Sequence, residues 1–177
     1  MIIMKAPVIW LTGIPGSGKT TLALELQKFY ENKGIPIEIL DGDEIRKTLS
    51  KDLGFSPEDR KEHNRRVIFV AKILAKNGVT AVIPLISPYR ETRANARKEI
   101  PDFIEIWVKT SVDECIKRDP KGLYKKALAG EIKNLTGLQS PYEEPQNPEL
   151  ILDTEKNSVE ESIELITSTV KKLGYLN

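Results

Sequence analysis

Apolar residues in this chain form short, nearly continuous runs, separated by longer stretches in which apolar positions recur at helical spacing. The runs predict five strands, at 8–12, 35–40, 79–86, 103–108 and 149–152. The other stretches predict helices at 19–32, 43–49, 57–76, 90–99, 111–118 and 158–173. Mostly apolar strands that alternate with helices are typical of a parallel sheet covered on both faces. The pattern therefore predicts an α/β fold, a three-layer sandwich around a five-stranded parallel sheet.

A glycine-rich segment follows the first predicted strand. Residues 13–20 read GIPGSGKT, which fits G-x-x-x-x-G-K-S/T between a buried strand and an amphipathic helix. In such a P-loop, inward-facing N–H groups and the helix N-terminus hold phosphate. Lys19 is predicted to reach the β- and γ-phosphates of ATP, and the Thr20 hydroxyl to ligate Mg²⁺. The predicted ATP-binding residues are Gly13, Ile14, Pro15, Gly16, Ser17, Gly18, Lys19, Thr20 and Thr21.

Two carboxylates follow the second predicted strand. Ligands of such sheets bind beyond the carboxyl ends of the strands, where Asp41 and Asp43 lie. A carboxylate there can meet Mg²⁺ or accept a proton from a substrate hydroxyl, as phosphoryl transfer requires. The alternative is an Asp-Gly turn in which Asp43 caps the following helix. We favour the functional interpretation, with Asp43 as the group that orients the attacking oxygen.

Arginines are concentrated just downstream, at Arg46, Arg60, Arg65 and Arg66. The apolar stripe of helix 57–76 continues upstream through His63 or Asn64 to Arg60. Polar residues that extend a buried stripe towards a cleft suggest an anionic ligand, and the planar arginine fork suits phosphate or sulfate oxygens. A solvated charged helix face is the alternative, and it fits Arg60 poorly.

Length and charge narrow the class of protein. The 177 residues suit a single domain, residues 1–177, with one sizeable core. Lysine and arginine number 27 against 26 acidic residues, so we expect no nucleic acid or membrane partner. Cys115 lies on an apolar stripe and is expected to be a core residue. The apolar start, residues 1–4, leads directly into the first strand, which predicts a cytoplasmic protein without signal peptide or membrane span.

The stretch 119–147 is rich in lysine, glycine and proline. A loop of that length inside a compact domain is usually a lid or a disordered piece. Its lysines, among them Lys121 and Lys125, would stand beside the nucleotide site. We therefore predict a lid that covers bound phosphates.

An ordered series of motifs resembles the adenylylsulfate kinase (APS kinase) family of P-loop kinases. The similar segments are 41–46 (DGDEIR), 53–60 (LGFSPEDR), 65–67 (RRV), 86–90 (ISPYR), 118–127 (RDPKGLYKKA) and 136–145 (TGLQSPYEEP). A P-loop alone is shared by many enzymes, but this series covers nearly the whole chain. The resemblance implies a nucleoside-monophosphate-kinase-like sheet, a homodimer and a stand-alone kinase.

The resemblance also implies a reaction, in which ATP and adenosine 5′-phosphosulfate give ADP and 3′-phosphoadenosine 5′-phosphosulfate with Mg²⁺. By that resemblance the catalytic residues are Asp43, Lys19 and Ser87, the last matching a serine that can be phosphorylated. The implied substrate-binding residues are Asp41, Asp43, Arg46, Phe55, Arg60, His63, Asn64, Ile86, Ser87, Lys121 and Leu123. Among them, Arg46 and Arg60 would hold the phosphosulfate, and Phe55 would stack on the adenine.

The chain departs from the family pattern at two places. His63 stands where the family usually has asparagine, with Asn64 one position along, and residues 135–139 read LTGLQ instead of FTGID. If His63 faces the substrate, its protonation is expected to tune binding near its ordinary pKa of about 6.5. A P-loop kinase for another small hydroxyl compound and a non-catalytic ATP-sensing module remain as alternative functions.

Overall fold

The computed structural model describes residues 6–177, and the expectation about residues 1–4 lies outside that range. Five strands form one parallel sheet in the order β2-β3-β1-β4-β5. They are β1 (Val8–Thr12), β2 (Ile37–Ile39), β3 (Thr80–Pro84), β4 (Phe103–Lys109) and β5 (Leu150–Asp153). The predicted α/β class and the five-stranded parallel sheet are confirmed. The edge strand β2 is shorter than the predicted 35–40, because only Ile37–Ile39 pairs with β3.

Seven helices surround the sheet in the described part of the chain. They are α1 (Lys19–Asn32), α2 (Gly42–Lys47), α3 (Pro57–Lys76), α4 (Arg90–Glu99), α5 (Val112–Arg118), α6 (Leu123–Leu128) and α7 (Val159–Lys172). Six match predicted helices to within two residues, and α6 lies inside the stretch predicted as a lid. Ser56 and Ser158 cap α3 and α7 through their hydroxyls, which explains why both helices begin where the polar cap residue precedes an apolar stripe.

Two buried clusters cover the two faces of the sheet. Trp10 of the central strand packs with residues of α3 and α4, and Ile9 and Leu11 pack on the opposite face with residues of α1 and α7. All three side chains are fully buried. Burial of each such side chain contributes roughly 1.5–3 kcal/mol. The P-loop therefore starts from a strand that is buried over its whole length.

A third buried cluster joins the P-loop to the stretch 119–147. Its members are Ile14, Cys115, Tyr124, Ala127 and Leu135. The Tyr124 hydroxyl also donates a hydrogen bond to the Pro15 carbonyl, 2.7 Å away. The stretch is thus folded around its own small core, and the expectation of a long loop was incomplete because α6 lies within it. Cys115 is a buried core residue as expected, and burial raises the pKa of its thiol.

Candidate active site

The P-loop lies at the carboxyl end of β1, where its glycines permit a tight path. A Cβ on Gly13 would stand 2.5 Å from the Val108 carbonyl oxygen, so no side chain fits there. Gly18 has a φ of 101° and forms the N-cap of α1. That left-handed backbone conformation is accessible to glycine at little cost. The loop therefore brings its main chain close to β4 while leaving the start of α1 open to a phosphate.

Lys19 lies inside this loop with 8% of its surface exposed. Its ammonium group donates to the carbonyls of Gly13 and Ile14, both at 2.8 Å, and to the Ser17 hydroxyl at 3.2 Å. Burial lowers the pKa of Lys19 to about 7. An entering phosphate favours the charged form of the amine and therefore opposes this shift. The P-loop therefore holds the Lys19 ammonium group away from water, where it can contact the oxygens of a phosphate.

Thr20 and Thr21 occupy the first turn of α1, and both are exposed. A hydroxyl beside nucleotide phosphates suits Mg²⁺, which is usually bound by one or two protein ligands together with phosphate oxygens and water. Among residues 6–177, no group of three or more His, Cys, Asp and Glu side chains forms a protein-only metal site. The exposed Thr20 hydroxyl is compatible with a metal that arrives with its nucleotide, and its assignment as a Mg²⁺ ligand stays a prediction.

The two carboxylates after β2 have different surroundings. The Asp41 side chain is the N-cap of α2 and accepts hydrogen bonds from the N–H groups of Asp43 at 2.9 Å and Glu44 at 3.3 Å. Asp43 has 63% of its side chain exposed and contacts the Lys121 ammonium group. The alternative in which Asp43 caps the helix is therefore wrong, because Asp41 does so. The carboxylate of Asp43 caps no helix and is exposed, so its catalytic role stays a prediction.

Two arginines stand beside the carboxylate without an acidic partner among the described residues. Arg46 donates to the Gly54 carbonyl at 2.8 Å, and Arg60 donates to the Phe55 carbonyl at 3.0 Å. The Arg60 fork also reaches the Thr136 hydroxyl at 3.3 Å. Burial, followed by the nearby Arg60 charge, lowers the pKa of Arg46, while the charges of Asp43 and Asp59 act in the opposite direction. Two close guanidinium groups that form no ion pair among the described residues are an arrangement that an anionic ligand would stabilise.

Arg65 and Arg66 behave differently, although they belong to the same predicted set. Arg65 pairs with Glu62 at 2.7 Å, and Arg66 pairs with Asp52 at 2.6 Å. Their charges are therefore already compensated within the protein, and the structure separates them from the candidate anion site.

Phe55 lies directly beside these arginines. Its side chain is 71% exposed, which is unusual for a large aromatic residue. The Arg46 guanidinium lies over the ring, 4.5 Å from its centroid. An exposed ring next to a cationic group offers a stacking surface for a purine base.

His63 and Asn64 are both buried, as the stripe on α3 predicted, but they face different sides. His63 is 3% exposed and lies behind the turn at Gly42 and Leu85. Neither ring nitrogen has a hydrogen-bond partner among the described residues. The Asn64 amide donates to the Arg60 carbonyl at 2.8 Å and borders a separate cleft between α3 and α4. His63 is therefore the residue on the Asp43 side of the helix.

Burial, helped by the charges of Arg46 and Arg66, lowers the pKa of His63 to about 4. The expectation that its protonation tunes binding near pH 6.5 is therefore wrong: in the folded protein the imidazole stays neutral through that range. A neutral ring offers one donor and one acceptor, as an asparagine side chain also can.

This shift predicts a loss of stability in acid. The unfolded chain takes up a proton as the pH falls below 6.5, whereas folded His63 does so only near 4. Stability should therefore be complete above pH 6.5 and fall by about 2 kcal/mol between pH 7 and pH 5. Urea unfolding of the wild type and of His63→Asn, which cannot titrate, measures this as a difference between the two proteins. Equal pH dependence in both would contradict the assignment.

Ile86 and Ser87 follow the end of β3. The Ile86 carbonyl accepts a hydrogen bond from the Thr12 hydroxyl at 2.7 Å. The Ser87 hydroxyl is buried and accepts from the indole N–H of Trp10 at 2.9 Å. Ser87 also has a φ of 45°, which a residue with a side chain rarely adopts. The main chain here is held rigidly, and the Ser87 hydroxyl is occupied by a structural bond.

We predict that Ser87→Ala keeps kcat within about threefold of the parent, because in-line transfer needs no phosphoserine. The change leaves the buried Trp10 N–H without a partner, which should cost about 1–3 kcal/mol of stability. Steady-state kinetics and urea unfolding measure the two effects. Ser87→Gly is the matched variant, since it removes the same hydroxyl but relieves the left-handed backbone. An Ala variant that is folded, binds ATP and shows no turnover would favour a covalent route instead.

Sequence reasoning missed several residues that build the walls of this site. Thr12, Arg93 and Tyr142 contact one another or the Ile86–Ser87 main chain. Thr12 ends an apolar strand and Arg93 lies in a very polar helix, so neither stands out by pattern. Tyr142 belongs to a motif already singled out in the lid stretch, which was the available signal. Leu123 begins α6 and is half-buried in that same stretch.

The comparison with known proteins agrees with this geometry. The family model described as adenylylsulphate kinase matches residues 5–153. The chain is 53% identical over 173 residues to a probable adenylyl-sulfate kinase of Pyrococcus abyssi, covering 98% of this chain and 99% of the relative. The chain belongs to the adenylylsulfate kinase family. An adenylyl-sulfate kinase of Staphylococcus epidermidis is 49% identical over 174 residues, with coverage of 97% and 87%.

Solved structures support the same family. The Mycobacterium tuberculosis APS kinase in complex with AMPPNP and APS superimposes with a TM-score of 0.91 at 42% identity, covering 94% of this chain and 98% of the other. The predicted resemblance and the P-loop kinase fold are thus confirmed, and as a family member the chain is a kinase. None of the helices within residues 6–177 is long and apolar enough to span a membrane.

Proposed function

We propose that this protein transfers the γ-phosphoryl group of Mg-ATP to the ribose 3′-hydroxyl of adenosine 5′-phosphosulfate. The observation that carries the substrate assignment is the pair Arg46 and Arg60, which form no ion pair in the described chain. Arg46 lies over the exposed Phe55 ring, and Arg60 donates to the Phe55 carbonyl. A substrate that combines a purine base with a phosphosulfate group fills both features at once. A sugar acid or a simple nucleoside would use one of them at most.

ATP is held by residues 13–21, with Lys19 at the β- and γ-phosphates. When bound, Mg²⁺ neutralises charge on the phosphoryl oxygens, and Thr20 is its protein ligand in this proposal. Lys19 donates to the oxygens on which charge develops during transfer. Because it is almost fully buried, its interaction with that charge is only weakly screened by water.

Asp43 orients the acceptor hydroxyl and accepts its proton. Its carboxylate is exposed and contacts Lys121, which reaches across from the lid stretch. When substrate binds, the Lys121–Asp43 contact would break. Asp43 would then contact the acceptor hydroxyl, and Lys121 would contact the anionic substrate. Asp41 supports this position by capping α2, so that Asp43 starts from a defined main-chain geometry.

The adenine stacks on Phe55, and the phosphosulfate lies between Arg46 and Arg60. His63 lines the wall behind Gly42 as a neutral hydrogen-bonding group, while Asn64 acts at most through its bond to the Arg60 carbonyl. The rest of the substrate pocket is formed by the main chain at Ile86 and Ser87 and by the lid residues Lys121 and Leu123. Arg60 already contacts Thr136 in the stretch 119–147, which supports a lid that closes over the substrate.

A coupled ADP-release assay tests the proposal. We expect turnover with adenosine 5′-phosphosulfate and far less with adenosine 5′-phosphate, a nucleoside or gluconate, and the product should carry its new phosphate on the 3′-oxygen. If the enzyme preferred another hydroxyl compound, the acceptor assignment would be wrong, but the assignment as a kinase would stand. Tight ATP binding with no acceptor consumed would favour an ATP sensor.

Three finer assignments belong to the same proposal: Mg²⁺ as the metal, a homodimer and a cytoplasmic location. The family resemblance implies the metal and the homodimer, whereas the cytoplasmic location is an expectation from the sequence alone. Activity restored by Mg²⁺ after chelation tests the first, and light scattering at several concentrations tests the second. Fractionation of the native cells tests the third.

A further inference from the structure

A buried ion pair stands beside the acceptor side of the site. Arg93 of α4 is 2% exposed, and its Nε donates to a carboxylate oxygen of Glu105 at 2.8 Å. Its two remaining nitrogens donate to main-chain carbonyls, one to Ser87 and the other to Glu143. The ion pair therefore compensates the buried charge, and the rest of the guanidinium is free to join two separate segments.

One of these segments contains Ile86 and Ser87, which belong to the proposed acceptor pocket, and the other belongs to the lid stretch. Ser87 follows the end of β3, and Glu143 lies at the far end of the stretch 119–147. They also meet directly, since the Glu143 N–H donates to the Pro88 carbonyl at 2.8 Å. Arg93 thus spans a junction between the fixed sheet and the lid stretch.

Tyr142 closes the same junction from the other side. Its ring lies 5.6 Å from the Arg93 guanidinium carbon, and its hydroxyl is 2.8 Å from the Thr12 hydroxyl. The Thr12 hydroxyl donates its only proton to the Ile86 carbonyl, so the Tyr142 hydroxyl must be the donor in its hydrogen bond to Thr12. Burial raises the pKa of Tyr142 to about 12, which keeps that proton in place.

The backbone at Ser87 needs such support. Its φ of 45° is unfavourable for a residue with a Cβ, and conformations of this kind persist where the surroundings hold them. Three contacts hold it here: Trp10 on the hydroxyl, Arg93 on the carbonyl, and Thr12 on the carbonyl of the preceding Ile86.

We propose that Arg93 is a positioning residue, which clamps the Ile86–Ser87 main chain to the lid stretch at Glu143 and so shapes the acceptor pocket. This inference rests on the proposed function for its kinetic readout only. Arginine is required because its planar fork donates from three separate nitrogens to Glu105 and to two carbonyls, whereas a lysine donates from a single nitrogen at the end of a flexible stem.

The test compares Arg93→Lys with Arg97→Gln. Arg97 belongs to the same ion network, through Glu105 at 3.3 Å and Glu149 at 2.6 Å, but among the described residues it makes no hydrogen bond to Ser87 or Glu143. Arg93→Lys should raise KM for adenosine 5′-phosphosulfate about tenfold and leave KM for ATP nearly unchanged, since small misplacements at a binding wall are costly. Arg97→Gln should change neither constant.

Hydrogen exchange supplies a readout that does not depend on activity. In Arg93→Lys the Glu143 amide, which donates to Pro88, should lose protection, while amides of β1 keep theirs. Should the wild type fail to phosphorylate adenosine 5′-phosphosulfate, the proposed function falls, and this exchange pattern still supports the clamp.

Either of two results in Arg93→Lys would contradict the proposal. One is hydrogen exchange at the Glu143 amide that equals that of the wild type. The other is a uniform loss of protection together with equal increases in KM for both substrates. If Arg93→Lys does not fold, the double variant Arg93→Met with Glu105→Gln takes its place, because it removes both members of the buried ion pair and leaves no buried charge without a partner. That variant should raise KM for the acceptor about tenfold and lower the protection of the Glu143 amide. Wild-type kinetics and exchange in this double variant would contradict the proposal.

Discussion

Lys19→Ala is expected to lower kcat on the order of 10²-fold or more. The lysine ammonium group is buried in the P-loop, where it is held by two carbonyls and one hydroxyl. A preorganised charge in a water-poor site acts mainly on the transition state, and loss of one such donor typically costs 10²–10³-fold. Steady-state kinetics at saturating ATP measure the effect.

The matched control for this change is Lys28→Ala. Lys28 lies on the same helix, α1, but it is exposed and pairs with Glu25 at 2.6 Å. It should keep the parental rate. If Lys19→Ala retained half of the parental kcat, the assignment of residues 13–20 as a working P-loop would have to be abandoned.

Asp43→Asn is expected to lower kcat by about 10²-fold or more, with little change in stability. The amide keeps the size of the side chain but cannot take the proton of the acceptor hydroxyl, a contribution that is typically 10²–10⁴-fold. Asp43 is exposed and caps no helix, so the fold does not depend on its charge. Single-turnover kinetics with both substrates saturating measure the chemical step directly.

Two neighbours serve as controls for Asp43→Asn. Asp41→Asn should stay active, since asparagine is as good an N-cap as aspartate. Glu44→Gln removes an exposed carboxylate that pairs with Lys47 at 2.8 Å, and it should change nothing measurable. An inactive Asp41→Asn beside an active Asp43→Asn would exchange the roles of the two carboxylates.

Much of the fold could be predicted because its signals are local. The strand at Val8–Thr12 and the helix at Lys19–Asn32 follow from an apolar run, a glycine-rich turn and a helical stripe. The ends of elements were less certain where long-range pairing sets them. An example is β2, which stops where β3, its one neighbour among the described strands, no longer pairs with it. The helix α6 was missed because it lies inside the stretch 119–147, whose lysine, glycine and proline content indicates a loop.

The candidate site divides in the same way. Local motifs were enough to single out Lys19, Asp43, Arg46, Phe55 and Arg60, whose roles toward a ligand stay predictions. The sequence could not tell which carboxylate caps α2, because Asp41 and Asp43 are both acceptable cap residues, and only the main-chain geometry distinguishes them. The same holds for His63 and Asn64, whose difference is the rotation of α3 relative to Gly42.

By itself the sequence determined the class of fold, the P-loop and the family, because these depend on residue types at fixed spacing along the chain. Only the tertiary structure decided which groups lose their water and which charges stand close together. It lowered the pKa of His63 by burial and engaged the Ser87 hydroxyl with Trp10. It also brought Arg93 to Glu143, fifty positions away. Desolvation and long-range contact are properties of the packed chain, and no local pattern encodes them.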